Sequence, residues 1–323
     1  MEGARCWLIT DGKMGDLAQC VGVAERLGLA AESRVVKPRA LFAALMPWGP
    51  IDPREVPNRP GSPLAPPFPD LAIASGRRAA AYLRHLKSAS GGRVFTVFLK
   101  DPRAGAGTAD FLWVPQHDRL RGANVLTTLT GPHRFSSEKL AEARAGTPIW
   151  PTDGRHKLGV VLGGNSKDFR FAPEDEARLL AGLRVIAQEG ATLAVTPSRR
   201  TPPGLADAVR VLAQETGGFF WDGTGENPYL AILAQADTLL VTADSTNMVG
   251  EAVASGRPVL VFRPTGGSPK IDQHLRELER LGAIRPFQGQ LEDFTYEPID
   301  ATPVIAIHLA RGYAQHLHKK VSP

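Results

Sequence analysis

Residues Trp221–Phe262 read WDGTGENPYLAILAQADTLLVTADSTNMVGEAVASGRPVLVF. Inside this stretch the apolar run Thr238–Thr242 ends in four polar residues, Asp244-Ser245-Thr246-Asn247. A helical pattern opens at Ser245, and Gly256-Arg257-Pro258 turns the chain into a second apolar run, Val259–Phe262. Strand, polar turn, helix and buried strand in that order form one unit of a parallel α/β sheet. In such sheets ligands gather in the crevice at the carboxyl ends of the strands, where a helix N-terminus offers unpaired N–H groups to a phosphate.

Outward from this stretch the same alternation fills the chain. Cys6–Thr10, Glu32–Val36, Leu71–Ala74, Val94–Leu99, Phe111–Val114 and Val125–Leu129 read as strands in the first half, with helices expected near 17–27 and 77–86. Ser136 caps a helix through Ala145, with Glu138 in its first turn. Pro148, Pro151 and Gly154 then break both periodicities across Thr147–His156. A second set of strand–helix units follows and ends in an amphipathic helix near 303–317. The expected architecture is α/β, with two doubly wound Rossmann-like domains, residues 1–150 and 151–302, facing a cleft. The Pro-rich segment 47–69 carries no apolar period and reads as an extended loop or a flexible insertion.

Composition bounds the function. At 323 residues, with 43% hydrophobic and 22% charged residues, the chain suits two globular domains. Its two cysteines, Cys6 and Cys20, give no disulfide framework and read as small core residues. No run of about 18 apolar residues suggests a membrane span, and the N-terminus runs directly into a strand, which points to the cytoplasm. The net charge of +5 is scattered, without aromatic interleaving, so nucleic acid is not an expected partner. It suits anionic small substrates or peripheral contact with an anionic membrane. Nothing here bears on oligomeric state.

Three loops of the second half follow strands and carry donors suited to a diphosphate. They are Gly163-Gly164-Asn165-Ser166-Lys167, Thr196-Pro197-Ser198-Arg199-Arg200 and Asp244-Ser245-Thr246-Asn247. Candidate donor-binding residues are therefore Gly164, Asn165, Ser166, Ser198, Arg199, Asp244, Ser245, Thr246 and Asn247. Glu251 lies one to two turns into the last helix, within reach of a ribose. Together they read as a pocket for a nucleotide sugar. Neither a P-loop nor a G-x-G-x-x-G after the first strand is present, so ATPase and dinucleotide readings lose support, and no cofactor is expected. In the first half, Asp11-Gly12-Lys13-Met14-Gly15-Asp16 also joins a strand to a helix. Asp11 and Lys13 are candidate catalytic groups there, and Asp16 reads as a cap of the following helix. His117, beyond a buried-looking strand and beside Asp118, is a candidate general base.

The segments DGKMGD, VPQHDR, GGNSK, TPSRRTP, DGTGENPY, TADSTNMVGEA and KIDQHLRELERLG, in that order, resemble the bacterial branch of the mitochondrial-fission "elongated mitochondria" family. That family is similar to glycosyltransferases of the GT-B architecture. The resemblance implies a donor domain in the second half, with Glu251 on the ribose and Ser245, Thr246 and Asn247 on the diphosphate. It implies an acceptor domain in the first half, with the C-terminal helix packed back on it. The chain departs from the family at the first helix, where Leu17-Ala18-Gln19 replaces a Glu-Asn-Gln run.

The expected reaction is transfer of a sugar from a nucleotide-diphosphate donor to a lipid or saccharide acceptor. A non-catalytic protein-interaction adaptor on the same scaffold is the alternative, and a nucleotide-sugar epimerase a weaker one. No D-x-D pair occurs in the sequence to hold a metal on the diphosphate, so helix dipole and cationic loops are expected to stabilise the leaving group. Sugar transfer, assayed with a matched donor and acceptor, should therefore persist in EDTA. Loss restored by magnesium or manganese would refute this.

Overall fold

A computed structural model describes residue 1 and residues 3–321. The chain forms two compact units, residues 1–134 with the chain from Ala301 onward, and residues 135–300. In the first unit the elements run β1 (Cys6–Thr10), α1 (Met14–Arg26), β2 (Ala31–Val35), α2 (Ala40–Leu45), β3 (Leu71–Ser75), α3 (Ala79–Ala89), β4 (Phe95–Leu99), β5 (Phe111–Pro115) and β6 (Val125–Thr128). The strands pair in parallel in the order β2-β1-β3-β4-β5-β6. β1, β3 and β4 are buried throughout, as the near-continuous apolar runs CWLIT, LAIAS and FTVFL require of strands covered on both faces. The AESRV sequence of β2 stays largely exposed at the edge. Thr10 aligns with both Val35 and Ser75, so the loops after β1 and β3 leave the sheet at one level.

Alternate side chains feed two cores. Trp7, Ile9, Met46, Leu64, Tyr82 and Leu83 pack on one face. Leu8, Cys20, Val23, Ile73 and Trp113 pack on the other, joined by Ile305, Leu309 and Tyr313 from the C-terminal helix, Thr302–Val321. Phe95 and Tyr313 meet edge to face at 5.8 Å. Cys6 and Cys20 are free and buried there. Burial pushes the Cys6 thiol up to about 12 and the Cys20 thiol higher still, so both act as apolar filler. The Pro-rich segment has no helix or strand across residues 51–70, yet it is packed down. Ile51 and Leu64 are buried, Asp52 pairs with Arg39 at 2.8 Å, and Glu55 accepts from the Lys37 amide at 2.9 Å.

The second unit contains α4 (Ser137–Ala145), β7 (Lys157–Leu162), β8 (Phe169–Arg170), α5 (Pro173–Gln188), β9 (Thr192–Pro197), α6 (Pro203–Glu215) and β10 (Phe219–Phe220). It continues with α7 (Tyr229–Gln235), β11 (Thr238–Thr242), α8 (Thr246–Val253), β12 (Val259–Phe262), β13 (Thr265–Gly266), α9 (Pro269–Arg280) and β14 (Ile284–Pro286). Its parallel sheet has the order β10-β9-β7-β11-β12-β14, and β8 and β13 make a small antiparallel ribbon. The chain enters at β7, winds outward to β9 and β10, then returns to β11 on the other side of β7. That reversal is a topological switch point, with β7 and β11 as its two strands.

The division between units falls at Arg134 and Phe135, ahead of the Pro- and Gly-rich segment where the sequence loses its period. α4 is tied to α7 across that segment. Arg144 Nε donates to the Ala234 carbonyl at 3.1 Å, and Gln235 Nε2 donates to the carbonyls of Ala143 and Thr147 at 2.8 and 3.0 Å. Ser136 caps α4 by accepting from the Lys139 amide, as its sequence position implies.

Leu309→Ala should lower stability by about 2–5 kcal/mol in urea unfolding, because Leu309 is fully buried in the core shared with β1 and β3. Ile307→Ala, at a position 51% exposed on the same helix, should stay within about 0.5 kcal/mol. Equal effects would mean the helix is not seated on this core.

Candidate functional site

The switch point of the second unit gathers the three loops singled out in the sequence, and Asp244 is what joins them. Its carboxylate is fully buried. Thr242 Oγ1 donates to Oδ1 at 2.7 Å, while the Gly164 amide and Arg200 Nη2 donate to Oδ2 at 3.0 and 2.9 Å. Thr242 Oγ1 in turn accepts from the Gly163 amide at 2.7 Å. The ends of β7 and β11 and the loop after β9 are thereby fastened together. A carbon on Gly163 would lie 1.9 Å from Asp244 Oδ1, and one on Gly164 1.9 Å from the Arg200 carbonyl. The two glycines are required by that close approach, whatever else binds nearby.

Several expected donor contacts are engaged in shaping the loops themselves. Asn165 Oδ1 accepts from the Phe171 amide at 2.8 Å. Ser166 Oγ accepts from the Asp168 and Phe169 amides at 3.2 and 3.1 Å. Ser198 Oγ accepts from the Arg200 amide at 3.1 Å and meets Thr201 Oγ1 at 3.3 Å. Ser245 is the N-cap of α8 and accepts from the Met248 amide. These are short-range side chain–backbone bonds of the kind that stabilise turns and caps. What remains directed outward is narrower. Thr246 is half-buried at the first position of α8, Arg199 is exposed, and neither has a side-chain partner among the described residues. Asn247 is half-buried beside Thr246. The first-turn amides of α8 complete a cradle with positive character.

Glu251 lies on the second turn of α8, and Tyr229, the first residue of α7, donates its hydroxyl to Oε2 at 2.6 Å. Burial pushes the Glu251 carboxyl up to about 7, with the Tyr229 hydrogen bond pulling the other way. The Tyr229 ring lies against Phe135 at 5.4 Å. Tyr229 was not among the residues expected to matter. Its sequence signal is its place at the end of the DGTGENPY segment.

The first unit has its own switch point, between β1 and β3. Asp11 follows β1, Ser75 ends β3 with Gly76 just beyond it, and Lys100 follows β4. Lys100 Nζ donates to Asp16 Oδ1 at 2.7 Å, and Ser75 Oγ donates to the same atom at 3.3 Å. Asp16 is therefore an ion-pair partner within the first turn of α1. The N-cap position is Lys13, and it has no side-chain cap bond, which corrects the capping role read from the sequence. Asp11 Oδ2 lies 3.3 Å from Lys13 Nζ, and its side chain is only 4% exposed. Asp11 Oδ1 has no donor among the described residues. Gly76, at φ 98°, lets both carboxylates close in: a carbon there would lie 3.1 Å from Asp16 Oδ2 and 3.2 Å from Asp11 Oδ1. Lys100 holds φ 80°, a left-handed backbone rarely adopted by a residue with a side chain.

His117 is half-buried in the turn after β5. The order β1-β3-β4-β5 puts three strand spacings, about 14 Å, between its strand and that of Asp11. Asp11, Lys13, Asp16, Ser75 and Lys100 come together; His117 stands apart. Among the described residues no group of three or more His, Cys, Asp and Glu could hold a metal ion. No helix among them is long and apolar enough to cross a membrane.

The chain belongs to the family described as Mitochondrial fission ELM1, which it matches over residues 14–313. It is similar to the mitochondrial fission protein ELM1 of Arabidopsis thaliana, 24% identical over 280 residues and covering 76% of this chain; the chain spans 64% of that relative's length. Among solved structures it resembles a UDP-GlcNAc 2-epimerase from Neisseria meningitidis bound to UDP-GlcNAc, with a TM-score of 0.52, 11% identity, and coverage of 98% of this chain and 92% of the other. MurG of Acinetobacter baumannii aligns at a TM-score of 0.48 and 15% identity, over 97% of this chain and 95% of that one. The likeness to the epimerase is one of fold: two doubly wound α/β units.

A carboxyl whose folded pKa is raised favours the folded state while it is protonated. That contribution is complete below the unfolded value and is lost as pH rises through the folded one. Wild-type stability should therefore fall relative to Glu251→Gln between about pH 4.5 and 7, the free and folded values of this carboxyl, when thermal melts of the two are compared. Parallel curves would mean that Glu251 ionises as it does in the unfolded chain.

Proposed function

We propose, from membership in this family and from the cradle at the second unit's switch point, that the chain is a glycosyltransferase using a nucleoside-diphosphate sugar. The observation that carries the reading is the N-terminus of α8, where Thr246 and Arg199 remain available beside a rigid, Asp244-fastened loop floor. A diphosphate fits there: amides and guanidinium meet its oxygens, and the helix dipole favours its charge. Glu251, supported by Tyr229, is placed to accept a ribose hydroxyl. No cofactor is required beyond the donor.

The first unit receives the acceptor, a lipid or a saccharide, at its own switch point. Asp11 is the base, because its Oδ1 is buried and lacks a donor, and an acceptor hydroxyl would satisfy it. In the reaction the hydroxyl oxygen forms the bond to the sugar's anomeric carbon, and its proton passes to Asp11. The bond from that carbon to the phosphate oxygen breaks, and the nucleoside diphosphate departs. Lys13 and the Lys100–Asp16 pair hold the carboxylates in place. We place the reaction in the cytoplasm, at the inner face of a membrane.

Epimerisation of the nucleotide sugar is the second reading, since the epimerase bound to UDP-GlcNAc shares this fold. A non-catalytic adaptor would bind no nucleotide at this cradle.

Calorimetric titration with UDP, GDP, ADP and TDP separates these. At least one should bind wild type, and Arg199→Ala with Thr246→Val should weaken it roughly tenfold, the loss of one to two charge-assisted or neutral hydrogen bonds. Failure of every nucleotide to bind would support the adaptor instead. Asp11→Asn should bind the nucleotide as wild type does and lose about 10²–10⁴-fold in turnover. Conversion of the free nucleotide sugar without any acceptor would assign the chain to the epimerases.

A further inference from the structure

The segment around α2 turns its large apolar residues outward. Leu41 is 70% exposed, Leu45 48% and Trp48 68%. Spacings of four and three residues line them along one side of α2 and the turn that follows, while Ala43 and Met46 face the core. The segment is held in this posture. Arg77 Nη2 donates to the Ala43 carbonyl at 3.2 Å, the Arg84 guanidinium donates to the Pro47 carbonyl, and Trp48 Nε1 donates to the Arg103 carbonyl at 3.1 Å. A fixed Leu-Leu-Trp face in water is unfavourable unless something apolar covers it.

Arginines outnumber the unpaired acids around it. Arg77 and Arg84 bond to carbonyls, Arg103 is exposed, and none of the three has a carboxylate partner among the described residues. The neighbouring acids are already engaged. Asp52 is held by Arg39 at 2.8 Å, Glu55 by the Tyr82 hydroxyl and the Lys37 amide, and Asp101 accepts from the Arg103 amide. The result is a short apolar ridge with a cationic rim.

We propose that this ridge docks on an anionic lipid bilayer. Leu41, Leu45 and Trp48 enter the boundary between headgroups and acyl chains, and lipid phosphates meet the Arg103 guanidinium and the N–H groups that the carbonyl bonds of Arg77 and Arg84 leave over. Size favours a bilayer over a protein partner. The three side chains expose roughly 400 Å² at about 150–250 Å² for a large ring and somewhat less for Leu, well short of the ~800 Å² per partner of a stable protein interface. This assignment stands on exposure and charge alone and does not depend on the catalytic reading.

Co-sedimentation of the whole chain with vesicles tests it, using phosphatidylcholine alone and phosphatidylcholine mixed with phosphatidylglycerol. Wild type should pellet with the mixed vesicles, much less with phosphatidylcholine alone, and progressively less as salt is raised. Leu41→Ser with Leu45→Ser leaves the Trp48–Arg103 bond in place and should weaken binding at least roughly tenfold, the loss of about two buried leucines. Its unfolding midpoint should match wild type. Arg103→Glu should weaken binding to the mixed vesicles only. Wild type that stays in the supernatant, or a double variant that binds as wild type does, overturns the proposal. So does a wild-type dimer in sedimentation velocity that the double variant dissociates, which would give the face to a second copy of the chain.

Discussion

A single buried carboxylate organises the second unit. Moving an unpaired carboxylate out of water costs several kcal/mol, and Asp244 avoids that cost only because three donors reach it from residues far apart in the chain. Thr242 comes from its own strand, Gly164 from the loop after β7, and Arg200 from the loop after β9. Removing the carboxylate would leave the Gly164 amide without its acceptor and Arg200 without its ion partner at the point where the sheet reverses. The start of α8, two residues beyond Asp244, takes its position from the same knot. A diphosphate bound as proposed would meet a helix terminus held by that geometry.

The first unit uses the same topological position in the opposite way. Its switch point also holds acidic side chains under glycine-permitted backbone, but the saturation differs. Asp16 is matched by Lys100 and Ser75, whereas one oxygen of Asp11 faces no donor among the described residues. A saturated carboxylate stabilises; an unsatisfied one, buried beside a matched neighbour, is a place where a ligand hydroxyl is favoured over nothing at all. Strain accompanies it, in the left-handed backbone of Lys100 that aims the ammonium at Asp16.

The strands were the most legible part of the chain, because strands covered on both faces must be apolar throughout, and CWLIT, LAIAS and TLLVT can be little else. Helix caps at Ser136 and Ser245 were legible for a local reason: cap and amide lie within three residues. α2 left no such trace. Its outward Leu41 and Leu45 reverse the usual period, so nothing in the pattern separates it from a loop. Sequence shows that Asn165, Ser166 and Ser198 follow a strand, and not that their side chains also accept from amides a few residues on. The Glu251–Tyr229 and Asp16–Lys100 pairs join residues 22 and 84 positions apart, a separation no periodicity encodes.

The Asp244 knot also changes how descendants of this chain should be read. A relative would need Gly163, Gly164, Thr242, Asp244 and Arg200 whether or not it binds a nucleotide, since losing any of them unsettles the sheet itself. Selection for folding alone would preserve that signature through a complete change of trade, so its presence in a distant genome testifies to ancestry and to nothing else. Thr246, Arg199 and the open oxygen of Asp11 make no such bond. If they bind ligand as proposed, their survival or decay along a lineage would record whether that chemistry was kept.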